Sequence, residues 1–364
     1  MRLKSFLQIF GGIAVVLTLL PLIAVNYWWI RVFDFPHTQL TILTLSAILL
    51  YFFRFDIRWA KDYAFMTIMV ACFVFQLSKI YPYTPIAGLE VLENTKSDPK
   101  TSFKIFTSNV LQSNEDRELL LEEIGRKDPD VMILSETDKV WQKEIVSNIS
   151  SEYKYKLEVP LENTYGMLLY SKFKLLNPTV RYLVDDSIPS IHTKFLLPSK
   201  DTIQLYAIHP TPPMPQHNPS SSDRDAEMML VAEMSRKSKL PVIVMGDFND
   251  VAWSNTTSLF KNAGELLDLR IGRGFFNTYN AKNPILRWPL DHIFISEEFR
   301  VIDVERGNDI HSDHFPSYAY LSFEPEVSLA QKPKPATKEQ LKRANNQIKI
   351  RKEERGKLSH KSIK

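Results

Sequence analysis

Three long apolar runs fill the first eighty residues, and no comparable run follows them. FLQIFGGIAVVLTLLPLIAVNYWWI (6–30) carries no charge over the ~20 residues that a bilayer span requires. TQLTILTLSAILLYFF (38–53) is shorter, and AFMTIMVACFVFQLSKIY (64–81) is about long enough. Arg2 and Lys4 ahead of the first run would also suit the basic start of a cleaved signal peptide. Two further runs follow closely, however, and no small-residue cleavage site separates them. The pattern therefore predicts a three-helix membrane anchor over residues 1–81. Tyr27, Trp28, Trp29, Tyr51 and Tyr81 stand at the run ends, where aromatic rings favour the headgroup level.

Residues 82–100 mix Pro, Gly and charge and are expected to form a linker. From 101 to 325 the period shortens and short β-rich runs alternate with helical stretches. FKIFTSNV (103–110) ends on Asn109 and VMILSETD (131–138) on Glu136. GMLLYSK (166–172) and IHTKFLLPS (191–199) follow, and TIQLYAIHP (202–210) carries His209. PVIVMGDFND (241–250) runs from apolar residues straight into Asp247 and Asn249. PLDHIFIS (289–296) and SDHFPSYAYLSF (312–323) complete the set, with helices predicted over 115–130 and 223–238. Polar residues gather where apolar strands end, which is where buried sheets concentrate ligand sites. A two-layer β-sandwich with helices outside fits the alternation.

Composition adds limits rather than identity. Hydrophobic residues make up 44 % and charged ones 24 %, a globular average that hides two extremes. Residues 331–364 hold twelve Lys or Arg against three Glu, so the segment 326–364 is expected to be a basic, disordered or marginally helical tail. The tail's +9, against +3 for the whole chain, leaves about −6 for everything before it. A long nucleic-acid footprint on the middle domain is thereby disfavoured. The single cysteine, Cys72, excludes an intrachain disulfide and a Cys-based zinc site.

Basic residues also set an orientation. Arg2 and Lys4 precede the first run, and Arg54, Arg58 and Lys61 lie between the second and third. The positive-inside rule places both groups in the cytoplasm, and three crossings then deliver residues 82 onward to the outside. Loss of the short second span would reverse that result.

The strand-end residues describe a chemistry. Oxygen donors without cysteine suit a hard cation, Mg²⁺ or Mn²⁺. Glu136 is the foremost candidate ligand, with Asn109 beside it and Asp313 as a further contact. Asp247 offers a carboxylate to activate water, and Asn249 an amide to grip a substrate oxygen. Asp291 and His314 could form a carboxylate–imidazole dyad, the carboxylate fixing the ring tautomer. Together they suit metal-assisted attack of water on phosphorus.

In this order, TSNV, LSETD, IHP, GDFND, PLDHIFIS and HSDHFP resemble the endonuclease/exonuclease/phosphatase superfamily, which includes DNase I. The resemblance covers residues 103–323 and neither the front nor the tail. It implies an α+β, four-layer αββα sandwich, here preceded by the transmembrane region, with Mg²⁺ at Glu136 helped by Asn109 and Asp313. By the same resemblance His314 is general base or phosphate-polarising group, oriented by Asp291. His209 would contact the scissile phosphate or aid the leaving group, Asp247 would position or activate water, and Asn249 would bind a phosphate oxygen. The proline run after His209 suggests the bacterial membrane-anchored branch, hence a bacterial cell-membrane location. His292 stands where many relatives have Tyr; it and Trp288 are candidate substrate contacts, although a strand residue and a sheet cap are the plainer readings.

The expected protein is thus an integral-membrane, divalent-metal-dependent phosphoric ester hydrolase with an extracytoplasmic catalytic domain. Its substrate could be nucleic acid, phospholipid (a sphingomyelinase-like reaction) or a small phosphoester. An inactive binding scaffold is the alternative from another class. No obligate protein partner follows from the sequence.

Overall fold

The computed structural model describes residues 3–23, 26–149, 151–215 and 219–361, with side chains as far as Arg355. Helices α1 (Leu3–Leu19), α3 (His37–Phe52) and α4 (Ala60–Ile80) coincide with the three apolar runs, and the short α2 (Trp28–Arg31) lies between the first two. Leu7 of α1, Ala47 and Tyr51 of α3 and Met69 of α4 bury one another along the bundle axis. Lys4 pairs with Asp62 at one end, and the Tyr51 hydroxyl donates to the same carboxylate at 3.0 Å. Nearer the other end Gln76 of α4 donates to Thr18 of α1.

Leu3–Leu22 and Ala60–Tyr83 are each long and apolar enough to cross a membrane. The middle run is not, taken alone. Trp28–Asp34 and His37–Phe52 meet that test only as a pair, bent by 68°.

The segment 82–100 departs from the expected linker, because its side chains find partners on the globular domain. The Tyr83 hydroxyl donates to the Ala252 carbonyl at 2.8 Å, Glu90 pairs with Lys261 at 2.5 Å, and Val91 enters the core between the sheets.

Two six-stranded sheets follow. One has the order β11–β12–β1–β2–β4–β3, built from Phe299–Arg306, Ser317–Phe323, Ser102–Asn109, Val131–Ser135, Met167–Ser171 and Tyr155–Val159. The other has the order β5–β6–β7–β8–β10–β9, built from Leu175–Arg181, Ser190–Leu196, Thr202–Ala207, Val242–Asp247, Asp291–Ile295 and Leu267–Asp268. Within each sheet one central pair is parallel, β1–β2 and β7–β8, and the others are antiparallel.

The period of two sorts each strand. Phe103 and Ile105, Val131 and Ile133, Ile243 and Met245 all point into the layer shared by the sheets. Phe106, Met132 and Leu134 point the other way, under α5 (Glu118–Lys127) and α6 (Lys139–Asn148) through Leu120, Ile124, Trp141 and Ile145. Val242, Val244 and Phe294 are covered by α7 (Ser222–Lys237) and α8 (Asn255–Gly264). The result is an α+β, αββα sandwich of the DNase I type, as the resemblance implied.

The basic tail was expected to be disordered or marginally helical, and its described residues are helical and docked on the domain. Residues Lys338–Lys361 form helix α9, which lies along α7. Sparse as they are, Leu341, Ala344 and Ile348 recur at helical spacing and close onto the α7–α8 apolar layer. Arg351 reaches Asp223 of α7, and Arg355 lies 2.9 Å from Asp186. The net charge made this segment read as solvated; three apolar residues on one face were enough to dock it.

Candidate functional site

The parallel pairs β1–β2 and β7–β8 direct Asn109, Glu136, His209 and Asp247 to the same edge of the sandwich. Register adds the next residue, since Asp291 at the start of β10 lies directly opposite Asp247. The glycine of GDFND is required there. Gly246 has φ +139°, and a Cβ on it would lie 2.1 Å from the carbonyl oxygen of Ile208, the residue before His209. Absence of a side chain at Gly246 therefore lets the His209 and Asp247 strand ends close on each other.

Asp247 is the hub. Its Oδ1 accepts from the backbone N–H of Asn249 at 2.9 Å. Its Oδ2 accepts from Asn109 Nδ2 at 3.0 Å and lies 3.7 Å from His209 Nε2 and 3.6 Å from His314 Nε2. The same Asn109 nitrogen donates to Glu136 Oε1 at 2.8 Å. Glu136 and Asn249 both have left-handed backbone, φ +60° and +51°, a conformation uncommon outside glycine that recurs at functional turns. SDH is tied to the first strand through Ser312, whose hydroxyl donates to the Asn109 carbonyl at 2.9 Å and accepts from the His314 N–H at 3.0 Å.

His314 and Asp291 meet as expected, Nδ1 to Oδ2 at 2.7 Å. Burial opposes a charged imidazole, but the carboxylates of Asp291 and Asp247, with the Asp291 hydrogen bond, outweigh it. The pKa of His314 is pushed up to about 10, so the ring is an imidazolium near neutral pH. Asp247, Asp291 and His314 bring one ligand atom each within 4.8 Å of one another, a spacing that suits a metal ion only with the ring deprotonated.

The donor set also fits a hard cation on the Glu136 side. Two carboxylates converge there, and the positive end of one amide is shared between them. Asn109 does not present the neutral oxygen that was expected of it. Its Oδ1 accepts from the Leu111 N–H at 3.0 Å, and its nitrogen holds the two carboxylates.

A cavity of about 690 Å³ opens over these groups. Glu136, His209, Asp247, Asn249, Asp313 and His314 form its polar floor, so all the catalytic candidates except Asp291, which lies behind His314, face one space. Trp288 lines the cavity, with Phe35 edge-on at 5.5 Å and Tyr279 stacked at 6.3 Å. His292 does not. It is fully buried, with Nε2 on the Asp250 carbonyl at 2.8 Å and Nδ1 against Arg270, so its candidacy as a substrate contact is withdrawn.

Two features lay outside the sequence reading. Arg224 is buried behind the site, 2.9 Å from Asp225 and 3.3 Å from Asp250, and donates to the Asn249 carbonyl at 2.9 Å. Trp28, Arg31, Val32 and Phe35, from the stretch between the first two apolar runs, also line the cavity. The aromatic residues of that stretch signalled a membrane interface, and nothing in their spacing pointed to the site.

A family model described as the endonuclease/exonuclease/phosphatase family matches residues 106–314. Among solved structures, D. rerio TDP2 complexed with single strand DNA product is similar at 16% identity over 61% of this chain and 99% of its own, with a TM-score of 0.51. An endonuclease/exonuclease/phosphatase from Bacteroides vulgatus is similar at 17% identity over 62% and 100%, TM-score 0.51. A functionally unknown conserved protein from Enterococcus faecalis V583 is similar at 16% identity over 61% and 100%, TM-score 0.50. At such identities the likeness shows a shared fold. No curated protein matches the chain.

Proposed function

The chain belongs to the endonuclease/exonuclease/phosphatase family, and from that premise we propose that it is a membrane-tethered, divalent-metal-dependent phosphoric ester hydrolase. The observation that carries this reading is the position of Asp247, whose one carboxylate stands beside His209, beside the His314–Asp291 dyad and beside the Asn109–Glu136 pair. Isolated, each contact would be an ordinary buried hydrogen bond. Converging on one carboxylate under an open cavity, they form a reaction centre.

Glu136 would hold the cation, helped by Asp313, with Asn109 orienting the Glu136 and Asp247 carboxylates. Mg²⁺ or Mn²⁺ bound there would supply Lewis-acid stabilisation of charge on the phosphoryl oxygens. His314, held protonated by two carboxylates, donates Nε2–H toward a phosphoryl oxygen; Asp291 fixes the ring by taking Nδ1–H. Asp247 accepts a hydrogen bond from the attacking water and orients it. His209 faces the departing oxygen, and Asn249 binds a non-bridging oxygen. Tethering follows from the helices long and apolar enough to span, with the catalytic domain outside the cytoplasm by the charge distribution of the loops.

Glu136→Ala should abolish Mg²⁺-dependent hydrolysis of bis-p-nitrophenyl phosphate while leaving the thermal melt unchanged. Undiminished turnover would remove Glu136 as the ligand, and absence of turnover in the native chain would favour a binding scaffold.

A further inference from the structure

The catalytic cavity is closed on one side by the part of the chain that joins α1 to α3. Trp28, Val32 and Phe35 line it there, and Pro212, Met214 and Trp288 complete its apolar lining. This segment lies between the end of one apolar helix and the start of the next, so it sits at the level of the lipid headgroups whichever way the bundle is oriented.

The wall is fastened to the catalytic domain by directed bonds. The Trp28 N–H donates to the Pro219 carbonyl at 2.8 Å, the Ser221 N–H to the Asn26 carbonyl at 2.7 Å, and Trp253 Nε1 to the Asp34 carbonyl at 2.8 Å. The cavity is therefore continuous with the membrane region rather than merely tethered near it.

Polarity changes steeply along it. The floor is carboxylates and imidazoles; the walls are rings, prolines and aliphatic carbons. Trp28, Val32 and Met214 remain 36%, 46% and 43% exposed beside the opening, large apolar surface that the described residues leave uncovered. Arg31 is the one Lys or Arg among the described residues that line the cavity, and Asp34 at 3.6 Å and Asp225 at 4.0 Å already counter its charge. A polyanionic strand or a small sugar phosphate would find few donors here. A hydrocarbon chain would find cover.

We propose that the substrate is a phosphoester carrying a long hydrocarbon chain, drawn from the bilayer with its phosphate on the polar floor and its chain between Trp28–Phe35 and the proline loop. This rests on the hydrolase reading above. Water supplies the oxygen that joins phosphorus, the ester P–O bond breaks, and the departing oxygen ends with the proton that the water gives up.

The test uses the full chain in nanodiscs with Mg²⁺ and bis-p-nitrophenyl phosphate as the reporter of turnover. Butylphosphonate and decylphosphonate are the inhibitors. Each buried methylene adds roughly fourfold in affinity, so decylphosphonate, six methylenes longer, should inhibit at a concentration about 4,000-fold lower. Inhibition independent of chain length would overturn the lipid proposal while reporter turnover continued; loss of reporter turnover would instead strike the hydrolase reading. Val32→Asp should cut the chain-length dependence to under about tenfold, and a dependence as steep as that of the native chain would mean the tail lies in the bilayer, not in the cavity. Should that variant fail to fold, a diazirine-tipped decylphosphonate on the native chain decides the matter. Adducts on Trp28, Val32, Phe35 or Met214 are expected, and adducts confined to α1, α3 and α4 would overturn the proposal.

Discussion

The imidazole of His314 is buried between Asp291 at 2.7 Å and Asp247 at 3.6 Å, and that placement, rather than the ring itself, keeps it protonated. His314→Ala should lower hydrolysis of bis-p-nitrophenyl phosphate by about 10²–10⁴-fold, measured as kcat at saturating Mg²⁺; a loss under tenfold would remove it from the chemistry. Glu227 of α7 is the opposite case, a buried carboxyl with no counter-ion among the described residues. Burial, then the nearby Asp223 and Asp185, push its pKa up to about 8. The folded protein therefore holds this proton between about pH 4.5, the ordinary value for Glu, and about pH 8, where the unfolded chain has lost it. More protons bound in the folded state means that stability falls as pH rises through that window. Glu227→Gln should flatten the decline in melting temperature between pH 6 and pH 8.5; an unchanged slope would show that Glu227 is ionised in the fold.

Elements decide what single residues cannot. Strand β8 reads as a buried apolar run, yet its place in the candidate site comes from ending on Asp247 opposite Asp291, a register set by pairing with β10. Helix α9 shows the converse. Its charge dominates its composition, while Ala344, 6% exposed, faces the seam with α7. Ala344→Asp should lower stability by about 1–3 kcal/mol, read from thermal unfolding, with reporter turnover at low temperature unaltered. A tail free in solvent would tolerate the change without effect.

At the scale of the whole molecule, the apolar helical region and the αββα domain share one cavity. A phosphatase reporter fused after Lys364 should be active outside the cytoplasm, as three crossings from a cytoplasmic N-terminus require. Cytoplasmic activity would mean that the bent pair Trp28–Asp34 and His37–Phe52 enters and leaves on one side.

The strand ends were legible because alternation marks strands and because Asn, Glu, Asp and His rarely close an apolar run without a ligand or a partner to satisfy them. Their order along the chain then carried the resemblance that implied the fold, since TSNV, LSETD and GDFND each close a definite strand and SDH lies just ahead of β12. The apolar runs gave the bundle for the same local reason. Which groups touch was not legible. That Asn109 turns its nitrogen to Glu136 and Asp247, that Arg224 backs Asn249, and that His292 lies behind the site all depend on contacts between distant segments. Hydrophobic period reports which face of an element is buried, never what covers it. For that reason the wall of the cavity, made from a stretch that looked only like a membrane boundary, was decided by tertiary structure alone.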